Sequence, residues 1–199
     1  MPLLVLDIGG VVYRSWPDDA FHARWAERCG CEAEALKQRL WSGDDWLLAE
    51  LGQISAAENI ARLAARLGVG AELAREMVFE GWASQPDEAL AGLVARLRAS
   101  GVTVAALTNN TSTEAELMAR PELARLFDLA ISSADAGMCK PEEAFYRHAE
   151  ARLGASGEAL VFVDDVKANV AAARALGWRG VWFRSTEQAL AEIEAAFKD

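Results

Sequence analysis

Hydrophobic and polar positions along the chain fall into two registers that take turns. Short apolar runs rich in β-branched residues lie at 3–6, 102–107, 129–131, 159–163 and 181–183, spaced by stretches whose apolar positions recur three and four apart. Runs that are apolar on both faces and separated by helices predict a parallel sheet covered on both sides. Residues 87–99 are a clear case of the helical pattern: Leu90, Leu93, Val94 and Leu97 share a face, and Ser100-Gly101 ends it. Thr111-Ser112-Thr113-Glu114 and Ser185-Thr186-Glu187-Gln188 read as capping boxes. Pro141, followed by Glu142 and Glu143, reads as a first helical turn with proline at N1 and acids at the positive end of the dipole. The fold class this predicts is α/β, a doubly wound, Rossmann-like parallel sheet.

Residues 14–85 break that alternation. They hold no convincing strand and predict helices near 19–29, 32–40, 55–67 and 71–82, with Ser55-Ala56-Ala57-Glu58 as a capping box. Five of the seven tryptophans fall here: Trp16, Trp25, Trp41, Trp46 and Trp82. They are expected to fill the core of a small helical bundle, with one or two lining a pocket where the bundle meets the sheet. The predicted organisation is therefore a core of residues 1–13 and 86–199, with a helical insertion at 14–85 after the first strand.

Composition narrows the function classes. The chain has 199 residues, of which 52% are hydrophobic and 25% charged, so it can bury a real core. Thirty acidic against 20 basic residues give a net charge of −10, which repels phosphate backbones and argues against nucleic acid as a partner. No apolar stretch approaches the ~18 residues of a membrane span, and the opening Met1-Pro2-Leu3-Leu4-Val5-Leu6 lacks the basic start of a signal peptide. Cys29 and Cys31 flank Gly30 and Cys139 stands alone, a pattern that suits reduced thiols in the cytoplasm better than a disulfide or a zinc site. His22 and His148 both lie in helical patterns and read as surface or packing residues.

The chemistry gathers at strand ends. In an open parallel sheet, ligands bind beyond the carboxyl ends of the strands. The polar residues there are Asp7, Thr108, Asn109, Asp164 and Asp165, with Lys140 just before a helix. Carboxylates from different strands converging on one edge repel one another, and a hard divalent cation, Mg²⁺ above all, relieves that repulsion. Thr108 and Lys140 offer a hydroxyl and a positive charge to phosphate oxygens. Taken singly, each has a plain alternative: a strand-end Asp as a turn residue, Lys140 as a solvated charge before a helix.

Together the motifs resemble the haloacid dehalogenase-like superfamily over nearly the whole chain. Leu6-Asp7-Ile8-Gly9-Gly10-Val11-Val12 resembles its first motif and Leu107-Thr108-Asn109-Asn110 its second. The segment Gly137-Met138-Cys139-Lys140-Pro141 resembles the third, and Val161-Phe162-Val163-Asp164-Asp165 the fourth. The helical insertion resembles a C1-type cap. Glu50-Leu51-Gly52-Gln53-Ile54-Ser55 is similar to the branch of sugar-1-phosphate phosphatases and the phosphatase domain of bifunctional epoxide hydrolases. The resemblance implies a phosphatase acting on a small phosphorylated metabolite through an aspartyl phosphate. Asp7 would be the nucleophile, with Thr108, Asn109 and Lys140 on the phosphoryl group. Mg²⁺ would sit on Asp7, the Gly9 carbonyl, Asp165 and, directly or through water, Asp164, with Asn169 and Asp135 as possible supporting residues.

Gly9 departs from the superfamily's phosphatases, which usually carry a second Asp there as general acid and base. Such a group is typically worth about 10²–10⁴-fold. Two other readings therefore stand beside the phosphatase: a phospho-ligand-binding or regulatory protein without turnover, and a 2-haloacid dehalogenase, which Asp164-Asp165 argues against.

Overall fold

The computed structural model describes residues 2–14, 17–40, 42–82 and 86–198, with the side chain of Trp82 excepted. Five strands, β1 (Leu3–Leu6), β2 (Val104–Thr108), β3 (Leu129–Ser132), β4 (Leu160–Asp164) and β5 (Arg179–Trp182), form one sheet in the order β3-β2-β1-β4-β5. Every pairing is parallel. The order reverses between β1 and β4, so the sheet's switch point lies beside Asp7, where an open α/β sheet forms its crevice.

Alternation along the strands divides the core into two layers. Leu4, Leu6, Val104, Ala106, Val161 and Val163 face one side, and Val5, Leu107, Leu160 and Phe162 the other. The first side is covered by α6 (Glu88–Ala99), α7 (Glu114–Met118), α8 (Pro121–Ala124) and α12 (Thr186–Ala196), which contribute Leu93, Leu117, Leu123 and Ile193. The second is covered by α10 (Glu143–Leu153) and α11 (Lys167–Ala175), through Phe145, Tyr146 and Ala173. There Tyr146, Phe162 and Trp178 meet edge to face, a favoured arrangement of aromatic quadrupoles. A short helix, α9 (Ser133–Ala136), follows β3 directly.

Between β1 and α6 come α1 (Asp19–Cys29), α2 (Ala33–Leu40), α3 (Asp45–Glu50), α4 (Ala56–Leu67) and α5 (Ala71–Trp82). They gather around a hydrophobic cluster of their own, built from Phe21, Trp25, Leu36, Leu40, Leu63, Leu67 and Met77. Trp25 is fully buried in it, as expected of a bundle core, while Trp46 packs against its edge. Trp16 and Trp41 lie outside the described residues, as does the side chain of Trp82. None of the described helices is long and apolar enough to cross a membrane.

Local signals explain most boundaries, and three of them differ from the sequence pattern. The capping box before α7 is Thr113 with Glu116, not the one read at 111–114: Thr113 Oγ1 accepts from the Glu116 N–H and Glu116 returns a carboxylate to the Thr113 N–H. Pro141 is not N1 of α10, which starts at Glu143 with Glu142 as its N-cap. The helix α3 was not expected at all. His22 is buried, as a packing residue, with Nδ1 2.6 Å from the Asp18 carbonyl oxygen, and all three cysteines are free thiols.

Candidate active site

The last residues of β2 and β4 are themselves polar. Thr108 pairs in register with Ser132 and Asp164 with Trp182, so the ladder runs through both and fixes them at the carboxyl edge. Asp7 follows β1, and its own N–H donates to the Val163 carbonyl at 2.9 Å. Next comes a tight loop in which Val12 and Tyr13 both donate to the Ile8 carbonyl and Gly10 donates to Tyr13.

Lys140 connects the three strand ends. Its ammonium lies 2.9 Å from Asp7 Oδ1 and 2.7 Å from Asp164 Oδ2, and donates to the Leu107 carbonyl at 2.8 Å. All three ammonium protons thus have acceptors, and the side chain is buried. Burial opposes its charge, but Asp7 and Asp164 outweigh that and hold the ammonium above the ordinary lysine range. A solvated charge it is not. Asn109 fixes the main chain at this point: its Nδ2 donates to the Lys140 carbonyl at 3.0 Å and its Oδ1 accepts the Lys140 N–H at 2.8 Å. The amide thus positions the lysine while Asn109 also lines the cavity.

The carboxylates differ in how they are engaged. Asp164 is saturated: Oδ1 accepts from the Val166 N–H and Asn169, and Oδ2 from Lys140 and Asn169. Asp7 is held by one oxygen only. Its Oδ1 takes both the Ile8 N–H, at 2.8 Å, and Lys140, while Oδ2 has no hydrogen-bond partner among the described residues. Burial pushes the Asp7 carboxyl up to about 6 against the pull of Lys140, with Asp164 adding repulsion. Burial, then the Asp164 charge, also raises Asp165. Carboxylate oxygens of Asp7, Asp164 and Asp165 all lie within 4.8 Å of one another. Three carboxylates against one ammonium leave two negative charges in excess, which fits a divalent cation held by hard oxygens.

The expected supporting residues separate. Asn169 does hold Asp164, from the first turn of α11, whereas Asp135 accepts from the Glu114 N–H and serves the start of α7. Gly10 is structural: at φ 74° it occupies the left-handed region, and a Cβ there would fall on the Asp165 carboxylate. Gly10→Ala is expected to cost about 1–2 kcal/mol from the backbone alone, and more as Asp165 moves. Chemical denaturation would measure this. Gly9, by contrast, has an ordinary backbone, and a Cβ there meets nothing within 4 Å.

A cavity of about 400 Å³ opens over this edge. Its floor holds Asp7, Gly9, Thr108, Asn109, Lys140 and Asp165, and the side formed by α3, α4 and α5 holds Trp46, Glu50, Ala56, Ile60, Arg75, Val78 and Phe79. Among the described tryptophans, Trp46 is the one that lines this cavity, at the junction of bundle and sheet. In the sequence Glu50 opens the motif at 50–55, and nothing local marks it as facing the site. Burial pushes its carboxyl up against the pull of Lys140. After α3, Gly52 turns at φ 65° so close to α9 that a Cβ would collide with the Ala134 carbonyl.

Known proteins resemble this chain in sequence and in fold. A haloacid dehalogenase-like hydrolase family model matches residues 1–177. The chain is 30% identical over 142 residues to the sesquiterpene phosphatase astK of Aspergillus oryzae, covering 70% of this chain and 72% of that one. It is 35% identical over 105 residues to bifunctional epoxide hydrolase 2 of Rattus norvegicus, a match spanning half of this chain and 19% of the relative. Among solved structures, a HAD family enzyme from Bacteroides thetaiotaomicron in complex with magnesium and inorganic phosphate superposes with a TM-score of 0.77 at 18% identity, over 94% of this chain and 96% of that one. Residues 1–177 carry every strand-end group described above, and the chain belongs to the haloacid dehalogenase-like hydrolases.

Proposed function

We propose that this hydrolase is a Mg²⁺-dependent phosphatase of small phosphoric monoesters, working through an aspartyl phosphate on Asp7. The observation that carries this reading is the division of labour within the Asp7 carboxylate. One oxygen is fixed by Lys140 and the Ile8 N–H, the other has no hydrogen-bond partner among the described residues, and Asp7 lines the cavity. A carboxylate oriented in this way attacks phosphorus in line and splits hydrolysis into two easier steps.

The remaining residues divide the work. Lys140 keeps Asp7 ionised and aimed, and Asn109 aims Lys140. Thr108, buried beside Asp7, offers its hydroxyl to a phosphoryl oxygen. Asp7, the Gly9 carbonyl and Asp165 would hold Mg²⁺, with Asp164 acting at one remove because both its oxygens are already bonded. When bound, the ion neutralises charge on the phosphoryl oxygens, where most catalysis of phosphoryl transfer resides. Residues 14–85 act as a cap over residues 1–13 and 86–199, limiting substrates to small molecules and excluding water.

The cavity favours an ester with an apolar body. Its wall is largely aromatic and aliphatic, and Phe79 and Val166, 71% and 47% exposed, carry that character to the solvent side. The name of the Aspergillus relative points the same way. Three free thiols and a charge of −10 suit a reducing cytoplasm and a metabolite rather than nucleic acid as partner.

The test is a panel of alkyl, aryl and sugar phosphates assayed with Mg²⁺ and with chelator. Turnover that requires Mg²⁺ and is highest on esters of apolar alcohols is expected. The same panel should include a folded phosphoprotein, on which no significant turnover is expected. Phosphoprotein turnover comparable to the best metabolite would contradict the closed cap.

A further inference from the structure

We infer that Glu50 is the proton donor to the leaving group, and then the base for the hydrolytic water, so that the cap supplies the acid–base group that position 9 lacks. The inference rests on the phosphatase reading of the site. An in-line displacement at phosphorus, with Asp7 attacking from the sheet edge, sends the leaving oxygen away from the sheet and toward the helical side of the cavity. The donor must therefore stand on that side. Of the lining residues on α3, α4 and α5, only Glu50 and Arg75 bear ionisable groups, and Arg75 is exposed, ion-paired with Glu72 and permanently charged.

The other titratable groups of the cavity are already committed. Lys140 has an acceptor for each of its protons. Asp7 is the nucleophile, and Asp165 faces it within the acidic cluster. The Tyr13 hydroxyl lies between Glu122 and Arg120, at 3.4 and 3.2 Å. Glu50 differs from all of these: its carboxyl has no hydrogen-bond or ion-pair partner among the described residues, and it is half-buried in the wall. Burial favours its protonated form, the state a donor needs.

Its position is also fixed relative to the sheet. Glu50 is the last residue of α3, and two residues later Gly52 packs against the Ala134 carbonyl of α9. That close approach ties the end of α3 to the segment leading from β3 to Lys140. Acid–base groups need this kind of placement, because proton transfer requires heavy atoms within about 3 Å or one intervening water.

Asp7 Oδ2 bonds to phosphorus, the bond from phosphorus to the ester oxygen breaks, and that oxygen takes its electron pair together with the Glu50 proton, leaving as the alcohol. The Glu50 carboxylate then removes a proton from water as its oxygen bonds to phosphorus. The bond from phosphorus to Asp7 breaks, Asp7 is restored as a carboxylate, inorganic phosphate departs and Glu50 is protonated again.

Glu50→Gln keeps the shape and removes the titrating proton. The experiment compares wild type and Glu50→Gln on p-nitrophenyl phosphate, whose leaving group needs little help, and on phenyl and ethyl phosphates, whose leaving groups need a proton. The variant is expected to lose roughly 10²–10⁴-fold in kcat/KM on the poor leaving groups and much less on p-nitrophenyl phosphate. Adding Gly9→Asp to Glu50→Gln is expected to recover part of the loss on phenyl and ethyl phosphates, since position 9 has room for a side chain. An equal loss across the series, or none, would overturn the role of Glu50 while leaving the phosphatase reading intact. Absence of any Mg²⁺-dependent turnover in the wild type would overturn both.

Discussion

Asp7→Asn is expected to abolish phosphatase turnover while leaving the fold in place. The two contacts that orient Asp7 both fall on Oδ1, and an amide oxygen accepts from the Ile8 N–H and from Lys140 as a carboxylate oxygen does. The amide nitrogen then occupies the position of Oδ2, where it has no lone pair with which to attack phosphorus. Lys140 keeps Asp164 as its ionic partner, so no buried charge is orphaned. The stability effect has a definite sign in the metal-free protein. Burial raises the Asp7 carboxyl from 3.8 to about 6, so its ionisation costs native stability progressively as pH rises between those values and fully above them. The amide removes that cost, and at neutral pH without metal Asp7→Asn should melt no lower than the wild type. Activity on p-nitrophenyl phosphate and thermal melts, measured on one preparation, check both halves. Wild-type turnover in a clean sample would exclude Asp7 as nucleophile.

The second large effect is at Asp165. Its carboxylate faces Asp7 and rests against Gly10, and its main-chain carbonyl, which accepts from the Trp182 indole at 2.9 Å, is untouched by truncation. Asp165→Ala is therefore expected to fold normally and to lose Mg²⁺ dependence and most activity together. Lewis-acid stabilisation of a phosphoryl group is worth several kcal/mol, so the loss should reach roughly 10²–10³-fold or more. Titration calorimetry with Mg²⁺ and rate measurements across Mg²⁺ concentrations would report both quantities. A variant that kept its Mg²⁺ response would place the ion elsewhere.

Much of this was legible in the sequence because a parallel strand buried on both faces must be apolar until it ends, which makes a terminal Asp or Thr conspicuous. The ends of β1, β2 and β4 mark Asp7, Thr108 and Asp164 in that way. The edge strand β5 was harder to place. It starts with Arg179 and Gly180, and Gly180 is there because α11 packs too close for a side chain, with Val170 Cγ1 2.8 Å from where a Cβ would be. Periodicity also missed α3, whose six residues span under two turns and show no repeat. The capping box slipped by two positions because hydroxyls at 111–113 and acids at 114 and 116 fit the same signature in more than one register.

Side-chain partnerships were the least legible part. Asn109 sits beside Thr108 in sequence, which suggests a shared ligand, yet its amide turns to the Lys140 main chain 31 residues away. Asn169 had a usable signal: five residues after Asp164, it falls on the first turn of the next helix and can reach back to the strand end. Glu50 had none. Its place above the site depends on how a helix between two loops packs against α9, and no local pattern encodes that.

Trapping the covalent intermediate tests the aspartyl phosphate on Asp7 most directly. Wild-type protein is mixed with a radiolabelled aryl phosphate and Mg²⁺, quenched in acid within a turnover and digested with pepsin at acid pH, where an acyl phosphate survives. Residues 1–17 hold Asp7 as their only Asp or Glu, so a peptide from that stretch reports on Asp7 alone. One phosphoryl group is expected on that peptide, released by hydroxylamine as an acyl phosphate is, and absent from Asp7→Asn. A hydroxylamine-stable label, a label on another peptide, or steady turnover with no labelled protein at any quench time would contradict the aspartyl phosphate on Asp7.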